Sequence, residues 1–107
     1  MQITLEHFLA LSAVLFSIGL FGALSKRNMV SILMCIELMF NAVNVALIAF
    51  SRYLPAPSEG AQIAGQILAL FIITVGAAEA AVALAIILTI YRTRRTVNIE
   101  EVNLLKW

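Results

Sequence analysis

The sequence predicts an all-α membrane protein of three transmembrane helices, and three observations carry that prediction. Hydrophobic residues make up 63% of the 107-residue chain, whose mean hydropathy of +1.02 lies well above the level of water-soluble domains. The apolar residues fall into three runs, each long enough to cross a hydrocarbon core of about 30 Å. Most basic residues stand at the ends of those runs that would share one side of a bilayer.

The first run, Phe8 to Ser25, holds about eighteen uncharged residues, close to the minimum for a crossing, and the span is set at about 5–25. Glu6 and His7 stand where a cleavable signal would carry lysine or arginine, so this run is expected to be retained. Lys26-Arg27-Asn28 ends it. The second run, 28–51, is interrupted by Glu37, Asn41 and Asn44, and Asn28 is placed to cap its free amides. Pro55, Pro57 and Gly60 mark the following loop. The third run, 61–91, holds about thirty residues, enough to span with tilt, and Arg92, Arg94 and Arg95 stop it. Residues 1–107 thus read as one membrane domain with a tail, 92–107. Strands are excluded because no ten-residue alternating pattern of a barrel is present and an open set of strands leaves backbone groups unpaired in lipid.

Charge sets the direction. Lys26, Arg27, Arg92, Arg94, Arg95 and Lys106 fall on one side, and Arg52 with Glu6 and Glu59 on the other, which predicts an outside N-terminus and a cytoplasmic C-terminus. In the tail, Glu100, Glu101, Val102, Leu104, Leu105 and Trp107 suit either the interface or a clasp on a neighbouring subunit. A net charge of +1 gives no field for nucleic acid, which is not an expected partner. Three helices have little interior of their own, so lipid and other membrane subunits are the expected surroundings. Cys35 is the only cysteine and reads as inert packing. No haem-ligand pair, cysteine cluster, glycine-rich nucleotide loop or nucleophile–base pair is present, so any enzymatic activity must belong to a complex.

Two acids lie inside the spans. Glu37 is ten residues past Arg27, about 15 Å from that boundary at 1.5 Å per residue. Glu79, thirteen residues before Arg92, lies about 20 Å from the same boundary. An ionised acid at that depth costs about 2.5–3.5 kcal/mol even on a lenient scale, so each is expected to be protonated or paired for much of its time. Such a group can take up and release protons. Asn41 and Asn44, at i+4 and i+7 from Glu37, extend it into a polar track that can hydrogen-bond or hold water. Around Glu79 the same-face positions Ile72, Val75, Gly76, Ala83 and Ile86 offer no polar side-chain group, so its partner must come from another helix, a neighbouring subunit or water. Gly76, Ala77, Ala78, Ala80 and Ala81 surround it with small residues that admit a close backbone or a narrow wetted passage. The plainer reading is that polar residues merely join helices. Two acids at matched depth weigh toward proton transfer instead. Lys26 and Arg27 are explained first as topology anchors.

The stretch Arg27-Asn28-Met29-Val30, then Met34-Cys35-Ile36-Glu37-Leu38-Met39 and Asn41-Ala42-Val43-Asn44, resembles the smallest membrane subunit of respiratory complex I, the NuoK/NdhE type or subunit 4L. Ala77-Ala78-Glu79-Ala80-Ala81, Tyr91-Arg92-Thr93-Arg94 and Asn103-Leu104-Leu105-Lys106-Trp107 extend the resemblance over the whole chain. It implies a non-redox subunit of a proton-translocating NADH:quinone oxidoreductase, or of its ferredoxin-driven photosynthetic relative. The complex would use NAD(H) or ferredoxin, FMN, iron–sulfur clusters and quinone, with none of these bound by this chain. Implied partners are the quinone-proximal A, H and J types and an antiporter-like N type. The implied membrane is the bacterial inner (plasma) membrane, with the thylakoid as the alternative. The resemblance makes Glu37 and Glu79 members of a lateral chain of acids and waters, and carries Lys26 and Arg27 over as loop residues, although a lysine stands where some relatives have arginine. Two other functions compete: the small subunit of a multisubunit sodium/proton antiporter, and a scaffold whose acids do not titrate.

Overall fold

The computed structural model describes residues 2–55 and 57–102. The expectations for Leu104, Leu105, Lys106 and Trp107 lie outside the described residues. Among these are three helices long and apolar enough to cross a membrane: α1 (Leu5–Ser25), α2 (Met29–Tyr53) and α3 (Glu59–Arg94). A single 3-10 turn, Ile99–Glu101, follows.

Each helix begins where a side chain can satisfy amides that lack an intrahelical acceptor. At α1, His7 takes the place of the usual glutamate of a capping box, its Nδ1 accepting from the Thr4 backbone N–H at 3.1 Å. At α2, Asn28 Oδ1 accepts from the amides of Val30 at 2.9 Å and Ser31 at 3.4 Å. At α3, Ser58 Oγ accepts from the Ala61 amide. Asn28→Ala is expected to cost about 1 kcal/mol, read as a lower thermal midpoint in detergent. α3 has 36 residues, and rises about 54 Å against a hydrocarbon core of about 30 Å, so it extends past the core unless strongly tilted.

The helices run antiparallel with α2 between the other two. Toward α1 the seam is built on small residues. A Cβ at Gly19 would lie 2.7 Å from the Cys35 carbonyl oxygen and 2.7 Å from Met39 Cγ, and one at Gly22 would collide with Cys35 Sγ. Both glycines are buried, and their missing side chains let the backbones approach. Cys35 is thus packing material, as its place in an apolar run suggested. Ser12 Oγ donates to the Ala42 carbonyl at 2.6 Å, a hydrogen bond between spans. Toward α3 the same device recurs: Gly65 lies against Ser51, whose hydroxyl donates to the Gln62 carbonyl, and Gly76 lies against Glu37 and Phe40. The side of α3 turned to α2 carries Gly65, Ala69, Ile72, Gly76, Ala80, Ala83 and Ile87, all buried or half-buried at helical spacing. Large apolar side chains go outward instead; Phe21, Leu24, Met34 and Phe71 are each more than 60% exposed. That distribution suits a chain surrounded by lipid and neighbouring subunits.

Beyond α3 the chain turns back. Arg95 adopts a left-handed conformation (φ 57°, ψ 30°), a C-terminal cap usually filled by glycine. The segment after it pairs with the α1–α2 connection: the Met29 N–H donates to the Val97 carbonyl at 2.8 Å, and the Ile99 N–H to the Arg27 carbonyl at 3.0 Å. Asn28 and Asn98 thereby form an isolated antiparallel bridge. Arg27 Nε also approaches Glu100 Oε1 at 3.5 Å, with both side chains largely exposed. An exposed pair of this kind contributes little, so Glu100→Gln is expected to change stability by less than about 1 kcal/mol, measured by thermal unfolding in detergent. This part of the tail clasps its own chain, where the sequence left open the interface or a neighbour. The two backbone hydrogen bonds leave no trace in residue type.

Candidate functional site

The α2–α3 seam brings Glu37 to Gly76, three residues before Glu79 on α3. Glu37 is half-buried, and its Oε2 stands 3.8 Å from the point where a Cβ of Gly76 would lie. Glu79 follows Gly76 by three residues on α3, about 4.5 Å further along the axis. It is exposed on the isolated chain, at the flank of the buried stripe, and has no hydrogen bond or ion pair among the described residues. Two shallow apolar grooves reach it. One, of 230 Å³, is walled by Phe40, Phe71, Ile72, Val75, Gly76 and Glu79. The other, of 320 Å³, lies along Ala78, Glu79, Val82, Ala83 and Ile86. In both, the glutamate is the only titratable wall.

The polar residues of α2 separate. Asn44 is 6% exposed, with its Oδ1 buried and without a hydrogen-bond partner. Asn41 is exposed. No hydrogen bond joins Glu37, Asn41 and Asn44 to one another. The cause is helical geometry: three residues turn a helix by about 300°, so Asn41 and Asn44 point about 60° apart. In the antiparallel pair fixed by Ser51 with Gly65 and by Glu37 with Gly76, Asn44 falls opposite the stretch from Ala69 to Ile72. Its unpaired oxygen costs free energy unless a donor or water reaches it.

Lys26 and Arg27 are exposed in the α1–α2 connection at one end of the helices, away from the acids. Lys26 caps α1 through its N–H to the Gly22 carbonyl at 3.0 Å, and Arg27 anchors the tail through its carbonyl. Phe40 and Gly76 are the neighbours of Glu37 that side-chain chemistry alone does not single out. Gly76 was already marked by its small size beside Glu79, whereas the only sequence signal for Phe40 is its spacing, at i+3 from Glu37. Among the described residues no three of His, Cys, Asp and Glu come together to hold a metal ion. With one cysteine in the sequence, the residues do not fit an iron–sulfur cluster.

A thin three-span protein with acids at mid-helix and most of its apolar surface turned outward is a membrane subunit of a larger assembly. The family model described as NADH-ubiquinone/plastoquinone oxidoreductase chain 4L matches residues 7–107. The chain is 57% identical to the NAD(P)H-quinone oxidoreductase subunit 4L of the organellar chromatophore of Paulinella chromatophora, with all of both chains covered. It is 56% identical to the NADH-quinone oxidoreductase subunit K of Geobacillus sp. (strain WCH70), covering 98% of this chain and 97% of the other. It is 51% identical to the subunit 4L of Synechocystis sp., again over the full length of both. The chain belongs to the chain 4L family of NADH-quinone oxidoreductase membrane subunits. Its partners are the other subunits of that complex, which acts on quinone.

Proposed function

We propose that this chain carries protons within the membrane part of the oxidoreductase, with Glu37 and Glu79 as the carriers. The observation that supports this is Glu37 Oε2 seated beside Gly76 in the α2–α3 seam, with Glu79 three residues further along α3, mid-way along the spans, where an acid is costly unless its proton can move or find a partner. Glu37 sits in the α2–α3 seam, whereas Glu79 faces out of the chain toward whatever covers α3. Glu37 is then the internal member and Glu79 the member that hands over to a neighbouring subunit. Asn44, buried with a free acceptor, is suited to hold a water on the same face of α2, while Asn41 meets the surroundings. Lys26 and Arg27 contribute to the loop and tail rather than to transfer.

Quinone reduction elsewhere in the complex would alter the charge or hydration around these acids, and they would relay that change. The electron donor in this reading is NADH or ferredoxin, with FMN and iron–sulfur clusters held by other subunits. The A, H and J types and an antiporter-like N type are the proposed neighbours. The basic ends of the helices set the N-terminus outside and the C-terminus in the cytoplasm, in a bacterial inner membrane or a thylakoid. The test is infrared difference spectroscopy of the assembled complex during turnover. Carboxyl signals that appear with turnover are expected to vanish in Glu37→Gln; a spectrum unchanged by that substitution would count against direct titration and favour the scaffold.

A further inference from the structure

We infer that Asn41 is a positioning residue through which Glu37 reaches a second face of the chain, opposite the face that carries Glu79. The inference rests on the reading that Glu37 carries a proton, and adds where that proton is exchanged on the side away from Glu79. α1 and α3 both pack on α2 and scarcely on each other, so the helices form a layer one helix thick and α2 keeps two uncovered strips. One strip holds Ile36, Val43 and Phe50, spaced by seven residues and exposed. The other holds Met34, Asn41 and Ile48, again spaced by seven and exposed. Seen down α2 from Glu37, Phe40 is turned about 60° one way and Asn41 about 40° the other. Phe40 and Glu79 wall the same 230 Å³ groove. Glu79 therefore lies on the face of the first strip, and Asn41 opens on the opposite face.

Asn41 follows Glu37 by one helical turn, a spacing at which an amide and a carboxyl group come within hydrogen-bond reach, directly or through one water. The amide has a donor NH2 and an acceptor oxygen, so it can hold a water against Glu37 whether the acid is protonated or not. It does not titrate, which makes it a guide and not a carrier. Turned toward hydrocarbon, the same amide would be an unsatisfied polar group, and Met34 and Ile48 beside it on the strip offer it no partner. The strip therefore fits a neighbouring membrane helix that brings a titratable side chain, a carboxyl or an imidazole, to the depth of Asn41. The polar groups then cross the layer from Asn41 through Glu37 to Glu79. Asn44 is buried between the helices and opens on neither strip.

The experiment uses membranes carrying the whole complex, with assembly checked by the amount of intact complex. Proton translocation and infrared carboxyl signals are measured for Asn41→Leu, which removes hydrogen bonding, and for Asn41→Gln, which keeps the amide. The band of Glu37 is the one that Glu37→Gln abolishes. Expected are a loss of translocation of at least several-fold in Asn41→Leu with a displaced Glu37 band, and substantial recovery of both in Asn41→Gln. Should the leucine variant not assemble, Asn41→Ala is read by the same criteria. Wild-type translocation in the apolar variant would overturn the inference, and so would a loss that leaves the Glu37 band in place, since Asn41 would then act only by joining helices. Photo-cross-linking from position 48 on the Asn41 strip and from position 82, beside Glu79 in its groove, tests the two faces. Different subunits are expected; the same subunit at both, or lipid alone at position 48, would overturn the second exit. If Glu37→Gln keeps full translocation, the proton-carrying reading itself fails; if it loses translocation while Asn41→Leu does not, only the role of Asn41 fails.

Discussion

Glu37→Gln is expected to reduce quinone-linked proton translocation by about tenfold or more, equivalent to about 1.4 kcal/mol on the limiting barrier. Glutamine keeps the length and shape of the side chain, so its place beside Gly76 persists and the helix pair should assemble. What it removes is the exchangeable carboxyl proton. Glu79→Gln is expected to act in the same direction, because its groove walls contain no other titratable group to substitute for it. Measured in membranes as acidification per turnover, full translocation in both variants would leave the acids a packing role. The comparison is informative because the two glutamates differ in setting: one is half-buried between helices, the other is exposed on the chain's outer face.

The second large effect is structural. Replacing Gly19 by leucine is expected to separate α1 from α2 and abolish assembly of the complex, seen as loss of the intact complex on a native gel. Even Gly19→Ala forces a Cβ to within 2.7 Å of the Cys35 carbonyl oxygen and 3.2 Å of the Met39 amide nitrogen, atoms of a helix backbone that cannot swing aside. Overpacking of this kind costs about 1–3 kcal/mol for a methyl, and a larger side chain adds to it. Gly60→Ala is the control. Its nearest neighbour would be Ser58 Oγ at 3.8 Å, and assembly should be unaffected. Normal assembly of Gly19→Leu would show that the α1–α2 seam opens more readily than its backbone contacts indicate.

The helices were legible because the bilayer imposes a simple rule: long uncharged runs bounded by Lys26-Arg27 and by Arg92-Thr93-Arg94-Arg95 have no alternative to a helix. α3 begins at Glu59, ahead of its apolar run, because the Ser58 hydroxyl caps the amide of Ala61 and so lets polar residues join the first turn. Glu37 and Glu79 were legible as candidates since a charge in an apolar run is conspicuous on its own. Their relation to each other was not. It depends on the register between α2 and α3, which is fixed by Gly65 against Ser51 and Gly76 against Glu37, and small residues elsewhere along α3 would have permitted other registers. The Glu37–Asn41–Asn44 stripe shows the same limit. Spacing put the three within one narrow stripe, but which of them turns toward α3 depends on where that helix lies, and Asn41 ends exposed while Asn44 is buried.

The strap of the tail across Arg27–Met29 has a mechanical result. α2 and α3 are joined at one pole by the short connection from Leu54 to Ser58, and at the other by the hydrogen bonds of Val97 and Ile99. The pair is therefore a closed frame, stapled top and bottom, with its acids near the middle of the long sides. A frame of that kind resists hinging open like a pair of tongs. If the acids change charge as proposed, any swelling or contraction at its waist would be pushed sideways into the adjoining chains rather than spent on spreading its own ends.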